Sequence, residues 1–534
     1  MSLDFFFDSL DRAANGFARL RGWRRAGAAF AAGSLCCLGL APIGFFPALW
    51  VGFPALVWLL GGTQKKRQAF AAGWCFAFGY FLFGLYWIAA AMFVDLARFG
   101  WMVPFTVAGL PAVLACYYGL AAAAWQWLRH RFAREENRLW DAVLLAWLFA
   151  LTEYVRGFLF TGFPWNLFGS VWMGFLPVAQ AASLLGLYGL TFLTLVAACL
   201  PAALAAAGRR RFALAANLAA LGVFAALGLW GGARMQAPPA FLAEPYVRLV
   251  QPNIAQNMKW DSANRARNFD MLLELSAEPA ARPVTHVIWP ETAAAYFLED
   301  DLPHRLQIAA ALPEHAILLT GAPRQAIAAN GERRFFNSLL AIDKSAAVIA
   351  AYDKFHLVPF GEYVPFRQFG PIAAAAAGLG EFFAGTGPRS LRVPGLPVSS
   401  PLICYEIIFP HEVSDHDDRP QLLINVTNDA WYGRTSGPYQ HLDAARMRAI
   451  EEGTPILRAA NTGISAVIDP YGRVIQQLAL EEKGRIDTQL PLALEKATPY
   501  SHYGNLILIV LWLVTGVGIC LSPFKNRQGR VPKS

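Results

Sequence analysis

A succession of long apolar segments fills the first 235 residues, and it restricts the fold more than any other feature of the chain. Stretches near 25–42, 45–62, 69–93, 101–128, 139–159, 184–207 and 213–232 each approach the length of a membrane-crossing helix, and another lies near 504–522. Crossing hydrocarbon takes roughly 20 apolar residues in a helix, because backbone polar groups find no water there and must pair within the segment. The reading is a polytopic helical transmembrane domain of about eight spans. Composition agrees: 56% of residues are hydrophobic and 15% charged, too apolar a balance for one ordinary soluble domain.

Basic clusters fall at Arg19 to Arg25, Lys65 to Arg67, Arg129 to Arg138, Arg209 to Arg211 and Lys525 to Lys533. If every span crosses, all of them share one side, which the positive-inside rule makes the cytoplasm. The long segment between the seventh and last spans then lies outside, in the periplasm of a Gram-negative cell. The expected organisation is an N-terminal transmembrane region over 1–232, a periplasmic domain over 233–503, a C-terminal helix over 504–522 and a basic cytoplasmic tail over 523–534. These flanks account for most of the net charge of +8, so it carries no implication of nucleic-acid binding. The N-terminus reads as a retained signal anchor rather than a cleaved peptide, because further spans follow it.

Cys36, Cys37, Cys75, Cys116, Cys199 and Cys520 lie in the predicted spans, where a thiol acts as a small apolar group. Cys404 alone lies outside them. In an oxidising compartment it has no disulfide partner, so it is either inert and buried or kept as a reactive thiol.

From Tyr246 onward, short apolar runs alternate with amphipathic and Pro/Gly stretches, the pattern of an α/β domain. Strands are predicted at Val247–Val250, His286–Trp289, Ile317–Thr320, Ser338–Ile342, Leu402–Cys404, Leu422–Val426 and Ser465–Ile468, with helices at Ala263–Leu275 and Pro438–Glu452. The segment Pro371–Gly385 admits two readings, a mobile lid or a buried turn and helix.

Three local signatures carry candidate chemistry. THVIWPET ends an apolar strand at Glu291; a carboxylate among apolar residues tends to a raised pKa, which suits a general base, although a solvated loop glutamate fits too. AAYDKFHLVPFGEYVPF holds Lys354 in a stretch dense in proline and aromatics, with Glu362 following; an ammonium so fixed can stabilise charge developing on a substrate oxygen. SSPLICYEIIFP brings a short strand to Cys404, followed by Tyr405 and Glu406, like a nucleophile on a strand-to-helix turn. A free thiol has a pKa of roughly 8.5, so attack near neutral pH needs a neighbouring base or cation. His356 and His441 also invite a Cys-His pairing. No His/Cys/carboxylate spacing matches a zinc site and no glycine-rich loop cradles phosphate, so no metal or cofactor is implied.

Glu, Lys and Cys in this order resemble the triad of the nitrilase superfamily, whose domain is an α-β-β-α sandwich, and LLINVTNDAWYG and RAANTGISAVIDPYGRV fit its later strands. QPNIAQNMKWD, YDKFHLVPFGEYVP, CYEIIFP and NDAWYG, in a domain between membrane spans, narrow the resemblance to the apolipoprotein N-acyltransferases, over essentially the whole chain. The resemblance implies base Glu291, oxyanion-side Lys354 and nucleophile Cys404. Supporting roles are implied for Trp260, Glu362, Tyr405 and Glu406, with Asn428 and Trp431 near the pocket wall. Trp260 and Trp431 as core aromatics, and Tyr405 as a strand-end hydrogen-bond donor, are the structural alternatives.

The implied reaction moves an acyl chain from a membrane phospholipid, through a thioester on the cysteine, to the α-amino group of an N-terminal S-diacylglyceryl-cysteine. Its implied partners are a phospholipid donor and a diacylated apolipoprotein acceptor, and its setting is a monomeric multi-pass protein of the bacterial inner membrane. A tethered amidase that discharges the thioester to water, and a transporter or scaffold with an inactive nitrilase-like domain, are the competing readings. Glu153 and Arg156, near the outer end of the fifth span, pair with each other or with the domain, and either admit a lipid headgroup or anchor at the interface.

Overall fold

The structure is a computed structural model that describes residues 3–131, 138–205, 210–259, 262–328, 331–365 and 381–521. Trp260, the start of the Pro371–Gly385 segment as far as residue 380, and the basic tail from 523 lie outside the described residues.

Among the described residues, the β-sheet domain is built on eleven strands: β1 Phe241–Gln251, β2 His286–Ile288, β3 Ile317–Ile327, β4 Arg333–Ile342, β5 Val348–Asp353, β6 Ser399–Ile403, β7 Leu422–Thr427, β8 Ile456–Ala460, β9 Ala466–Ile468, β10 Val474–Gln477 and β11 Gly484–Pro491. They form a six-stranded sheet in the order β11-β1-β2-β3-β4-β5 and a five-stranded sheet in the order β10-β9-β8-β7-β6. β1, β2 and β3 run parallel, as do β6, β7 and β8, and the outer strands join antiparallel.

Strand alternation sorts the side chains into layers. Val247, Leu249, Ile288, Leu319, Leu339, Ile403, Ile424, Val426 and Leu457 meet between the sheets. On the far side of the first sheet, Val250, Val287, Leu318 and Leu340 pack with Phe269, Leu272 and Ile308 from the helices Ser262–Ala277 and Leu302–Ala311. On the far side of the second, Leu423, Ile456 and Ile468 pack with Ala445, Ala449 and Ile450 of the helix Gly437–Glu452, and this cluster runs on into the membrane-type helices. Helix, sheet, sheet and helix thus make the four expected layers, and one outer helix doubles as the floor on which the apolar helices rest.

All seven predicted strands form, though β3 and β4 extend further along a shared hairpin register. β5, β8, β10 and β11 lie outside those seven segments. β8 is buried throughout and too short to show a period, while β10 and β11 alternate weakly and are strands because neighbours pair with them. β6 stops at Ile403, so Cys404 leaves the strand.

The expected eight spans are only partly matched. Among the described residues, Gly100–Arg131, Ala182–Ala205 and Arg210–Arg234 are long and apolar enough to cross a membrane, and the pair Lys66–Gly84 and Tyr86–Asp95, bent by 49°, makes a fourth if taken as one. Phe46–Gly61 and Leu506–Ile519 are apolar but shorter. Apolar sequence continues where regular helix does not. Gly22–Cys36 tightens into a 3-10 turn, Leu49–Gly61 is entered through another that contains Pro47, and Arg138–Arg156 carries Asp141 and Glu153 among its apolar residues.

Candidate active site

β2 ends at Ile288, and the next residues carry Glu291 to the end of the first sheet, where the Trp289 backbone N–H donates to the Leu319 carbonyl at 2.8 Å. Lys354 follows β5, with β3 and β4 lying between that strand and β2 in the sheet. Its Nζ lies 3.3 Å from Glu291 Oε1 and 2.8 Å from Glu362 Oε2. Asn337 on β4 closes the group, donating through Nδ2 to Glu291 Oε1 at 2.8 Å and to Glu362 Oε1 at 2.7 Å. Lys354 is 1% exposed, so this cation works where water does not screen it.

Cys404 arrives from the opposite sheet. It is the first residue of a 3-10 turn, Cys404–Ile408, with φ +53°, a left-handed conformation that costs a non-glycine residue on the order of 1–3 kcal/mol. Its thiol is hydrogen-bonded to the Glu291 carboxylate and to Thr427. The two sheets therefore bring the Glu291 carboxylate, the Lys354 ammonium and the Cys404 thiol together.

The charge states follow from these neighbours. Burial pushes the Cys404 thiol up to about 12, and the Glu291 charge adds to this, so the resting sulfur is protonated. Burial also pushes Glu291 upward, but Lys354, Lys259, Asn337 and the thiol together outweigh it, and the carboxyl is held below its ordinary value. The raised pKa expected from the apolar sequence context is thereby overturned: Glu291 is an ionised acceptor facing a protonated thiol. Lys354 loses stability as a cation through burial but gains more from Glu362 and Glu291, and it stays charged.

Two family models match this chain: the apolipoprotein N-acyltransferase N-terminal domain over residues 32–200 and carbon-nitrogen hydrolase over residues 246–500. An apolipoprotein N-acyltransferase of Rhodopseudomonas palustris (strain ATCC BAA-98 / CGA009) is 40% identical over 523 residues, which cover 94% of this chain and 96% of that one. The chain belongs to the apolipoprotein N-acyltransferase family. A second member, from Brucella melitensis biotype 1, is also 40% identical, over 94% of this chain and 97% of its own. Among solved structures, an amidase of the nitrilase superfamily from Nesterenkonia AN1 is similar at 20% identity and a TM-score of 0.36, covering 52% of this chain and 99% of that one.

Around Glu291, Lys354 and Cys404 of this N-acyltransferase family member, Glu406 pins two chain segments. Its Oε2 accepts from the Ile403 N–H at 2.7 Å, and its Oε1 accepts from the Phe355 N–H at 2.8 Å, the His356 N–H at 3.3 Å and the Tyr352 hydroxyl at 3.0 Å. Glu406 therefore ties the backbone before Cys404 to the backbone after Lys354. Tyr405 donates to the Gly162 carbonyl at 3.1 Å, a bond from the nucleophile turn to the helical region. Asn428 is buried, donating to Gln256 at 2.7 Å and accepting from Asn461 at 2.9 Å.

Trp431 is 41% exposed, and it is its neighbour Tyr432 that makes the hydrogen bond to Cys404. Tyr432 follows Trp431 on a short 3-10 turn, and a turn that presents one side chain to the site leaves the next one outside. Composition could not choose between two adjacent aromatics.

Several site residues have no sequence signal beyond type. Lys259 is buried and donates through Nζ to the Glu291 carbonyl at 2.9 Å and to Thr292 Oγ1 at 2.6 Å. His441 comes close to Cys404, but Nε2 meets the Cys404 carbonyl at 3.1 Å, and Nδ1 lies 2.8 Å from Asp429 Oδ1. His356 instead stacks on Phe409 with ring centroids 3.8 Å apart and pairs with Glu412. Cys404, Asp429 and His441 each bring a ligand-type atom within 4.8 Å of the others, a grouping that sequence spacing did not reveal. Asp429 is already engaged by Arg458 at 2.7 Å and Thr427 at 2.9 Å.

Glu153 and Arg156 are buried and paired with each other at 3.1 Å. Glu153 accepts from the Phe168 N–H at 3.2 Å, and Arg156 donates to the carbonyls of Phe163 at 2.5 Å and Trp165 at 2.9 Å. The pair holds the 163–168 segment against its helix.

Proposed function

We propose that this chain is a phospholipid:apolipoprotein N-acyltransferase that works in two steps through a thioester on Cys404. The observation that carries this reading is the meeting of an ionised Glu291, a cationic Lys354 and a protonated Cys404 thiol in a chain of this family. In the first step Glu291 takes the thiol proton as sulfur attacks an ester carbonyl of a phospholipid. Lys354 stabilises the developing oxyanion. The C–O bond breaks, the lysophospholipid oxygen receives the proton from Glu291, and the acyl group stays on sulfur. In the second step the α-amino group of an S-diacylglyceryl-cysteine attacks the thioester and gives its proton to Glu291. The C–S bond breaks, sulfur is reprotonated, and an amide is formed.

Glu362 is proposed to hold Lys354, and Glu406 and Tyr405 to hold the nucleophile turn. Trp260, Asn428 and Trp431 are assigned to substrate binding by family resemblance. Both substrates are lipid-anchored, and lifting either into water exposes chains at about 0.8 kcal/mol per CH₂, so a catalyst held at the bilayer avoids that cost. The setting we infer is a monomeric, multi-pass inner-membrane protein. Residues 1–232 cross about seven times, 233–503 form the periplasmic catalytic domain, 504–522 return the chain and 523–534 are cytoplasmic. The shorter apolar helices count as crossings here, because irregular turns buried against neighbouring helices extend them.

Intact mass spectrometry after incubation with a defined phospholipid and no acceptor tests the reading. A gain of one acyl chain on the wild type and none on Cys404→Ala, discharged by a diacylated lipopeptide, is the expected result. Discharge to free fatty acid with the lipopeptide left unmodified would make the protein a hydrolase instead.

A further inference from the structure

The helix Gly437–Glu452 lies between the second sheet and the apolar helices, and two consecutive residues on it look in the two directions. Gln440 is buried. Its Oε1 accepts from the indole N–H of Trp165 at 2.8 Å and of Trp87 at 3.1 Å, and its Nε2 donates to the Ala41 carbonyl at 3.4 Å. Trp87 shares its N–H with the Gly84 carbonyl. One amide thus joins three segments of the helical region: the 3-10 stretch Tyr86–Asp95, the 163–168 segment and the loop after Gly22–Cys36. Two indole donors use both lone pairs of the amide oxygen, which settles the orientation of the amide.

His441, the next residue, is wholly buried and meets the backbone of Cys404. A carbonyl offers only lone pairs, so Nε2 carries the hydrogen of that bond. The ring is held from behind by Asp429 and Arg458 and from the side by Trp165, with centroids 5.4 Å apart. Trp165 also packs on Trp87 at 4.7 Å, and Trp87 packs on Tyr432 at 4.5 Å, the tyrosine that bonds the Cys404 side chain. Trp165 is in turn held by Arg156, and Arg156 by Glu153. An unbroken set of contacts runs from a buried ion pair in the helical region to both the carbonyl and the sulfur of Cys404.

We propose that Gln440 and His441 are positioning residues through which the helical region holds Cys404 in its left-handed conformation. The inference rests on Cys404 being the nucleophile. Cys404 pays backbone strain to aim its sulfur across at Glu291, and a strained residue persists only where its surroundings over-determine it. The hydrogen bond from His441 grips the carbonyl of that residue, and Gln440 fixes the helix that carries His441. Relaxation of φ toward negative values turns Sγ away from the base. Binding of lipid is untouched by this relation, so its signature lies in the reactivity of sulfur.

Gln440→Met keeps the length of the side chain and removes its polar atoms; Gln440→Glu keeps the acceptor. Each is compared with wild type in full-length protein by the rate of thioester formation at varied phospholipid, the rate of Cys404 alkylation by iodoacetamide and the melting temperature. We expect Gln440→Met to lower both the acylation kcat and the alkylation rate by about tenfold with KM within about twofold, and Gln440→Glu to recover most of the loss. A folded Gln440→Met protein that alkylates at the wild-type rate overturns the proposal, whatever its acylation. If that variant does not fold, Trp165→Phe, which keeps an aromatic side chain and deletes one donor, carries the same comparison. The acyltransferase mechanism fails by a different result: product formation by wild-type protein whose Cys404 is fully alkylated.

Discussion

Lys259 Nζ donates to the backbone carbonyl of Glu291 at 2.9 Å, so the proposed base has a second buried ammonium beside it as well as Lys354. Burial lowers the Lys259 pKa to about 8, which leaves it cationic throughout the acid range where Glu291 titrates. Glu291 acts as base only when ionised, so acylation falls as pH drops through its pKa, which is held below the ordinary carboxylate value. Removing a neighbouring positive charge raises that pKa. Lys259→Met is therefore expected to move the acid limb of kcat/KM for thioester formation to higher pH, while Lys259→Arg leaves it near its wild-type position. An acid limb that stays put in the methionine variant would show that the charge does not reach the base.

Asn337 donates one amide nitrogen to both Glu291 and Glu362. Two carboxylates that share a donor and a lysine stay at a set separation, and loss of the donor lets them repel. Asn337→Leu is expected to slow thioester formation by about ten- to a hundredfold with little change in phospholipid KM, because it disturbs alignment rather than binding. Single-turnover acylation followed by mass spectrometry measures it.

Glu406 accepts three backbone N–H groups from two segments and one tyrosine hydroxyl. A glutamine in its place turns one acceptor end into a donor that faces N–H groups. Glu406→Gln is expected to cost about 1–3 kcal/mol of stability, the desolvation penalty of buried groups left unpaired. Thermal unfolding in detergent checks this, and an unchanged melting temperature would mean that the segments hold without it.

Arg156 and Glu153 are both buried, at 1% and 0% exposure. Breaking such a pair leaves an uncompensated charge at about 3–5 kcal/mol, whereas removing both charges is cheaper. Glu153→Ala is expected to destabilise more than the double substitution with Arg156→Leu. A double variant less stable than either single one contradicts the pairing argument.

The three residues proposed as the triad were readable because each sits in its own short signature: Glu291 at a Trp-Pro strand end, Lys354 before a proline-rich turn, Cys404 at the close of an apolar strand. Their neighbours were not. Asn337 lies in the apolar run of β4 as an ordinary polar residue, and only the pairing of β4 with β5 brings it to Lys354. The short apolar runs of β1, β3 and β7 were legible, while β8 and β11 became strands through partners far along the chain. Apolar runs also overstated regular helix, since they record what is buried and not how the backbone is coiled.

Chain order, residue type and local apolar pattern by themselves determined that this protein has a helical apolar region, an inserted α/β domain and a Glu-Lys-Cys set at strand ends. Tertiary structure alone decided the direction of the Glu291 pKa, the choice of Tyr432 over Trp431, and the joining of Gln440 and His441 to opposite partners. Local pattern is set by interactions within a few residues, whereas the free energy of a buried charge depends on every charge and dipole nearby. For Glu291 those are Lys354, 63 residues away, and Lys259, 32 away, which only the packing of the domain brings together.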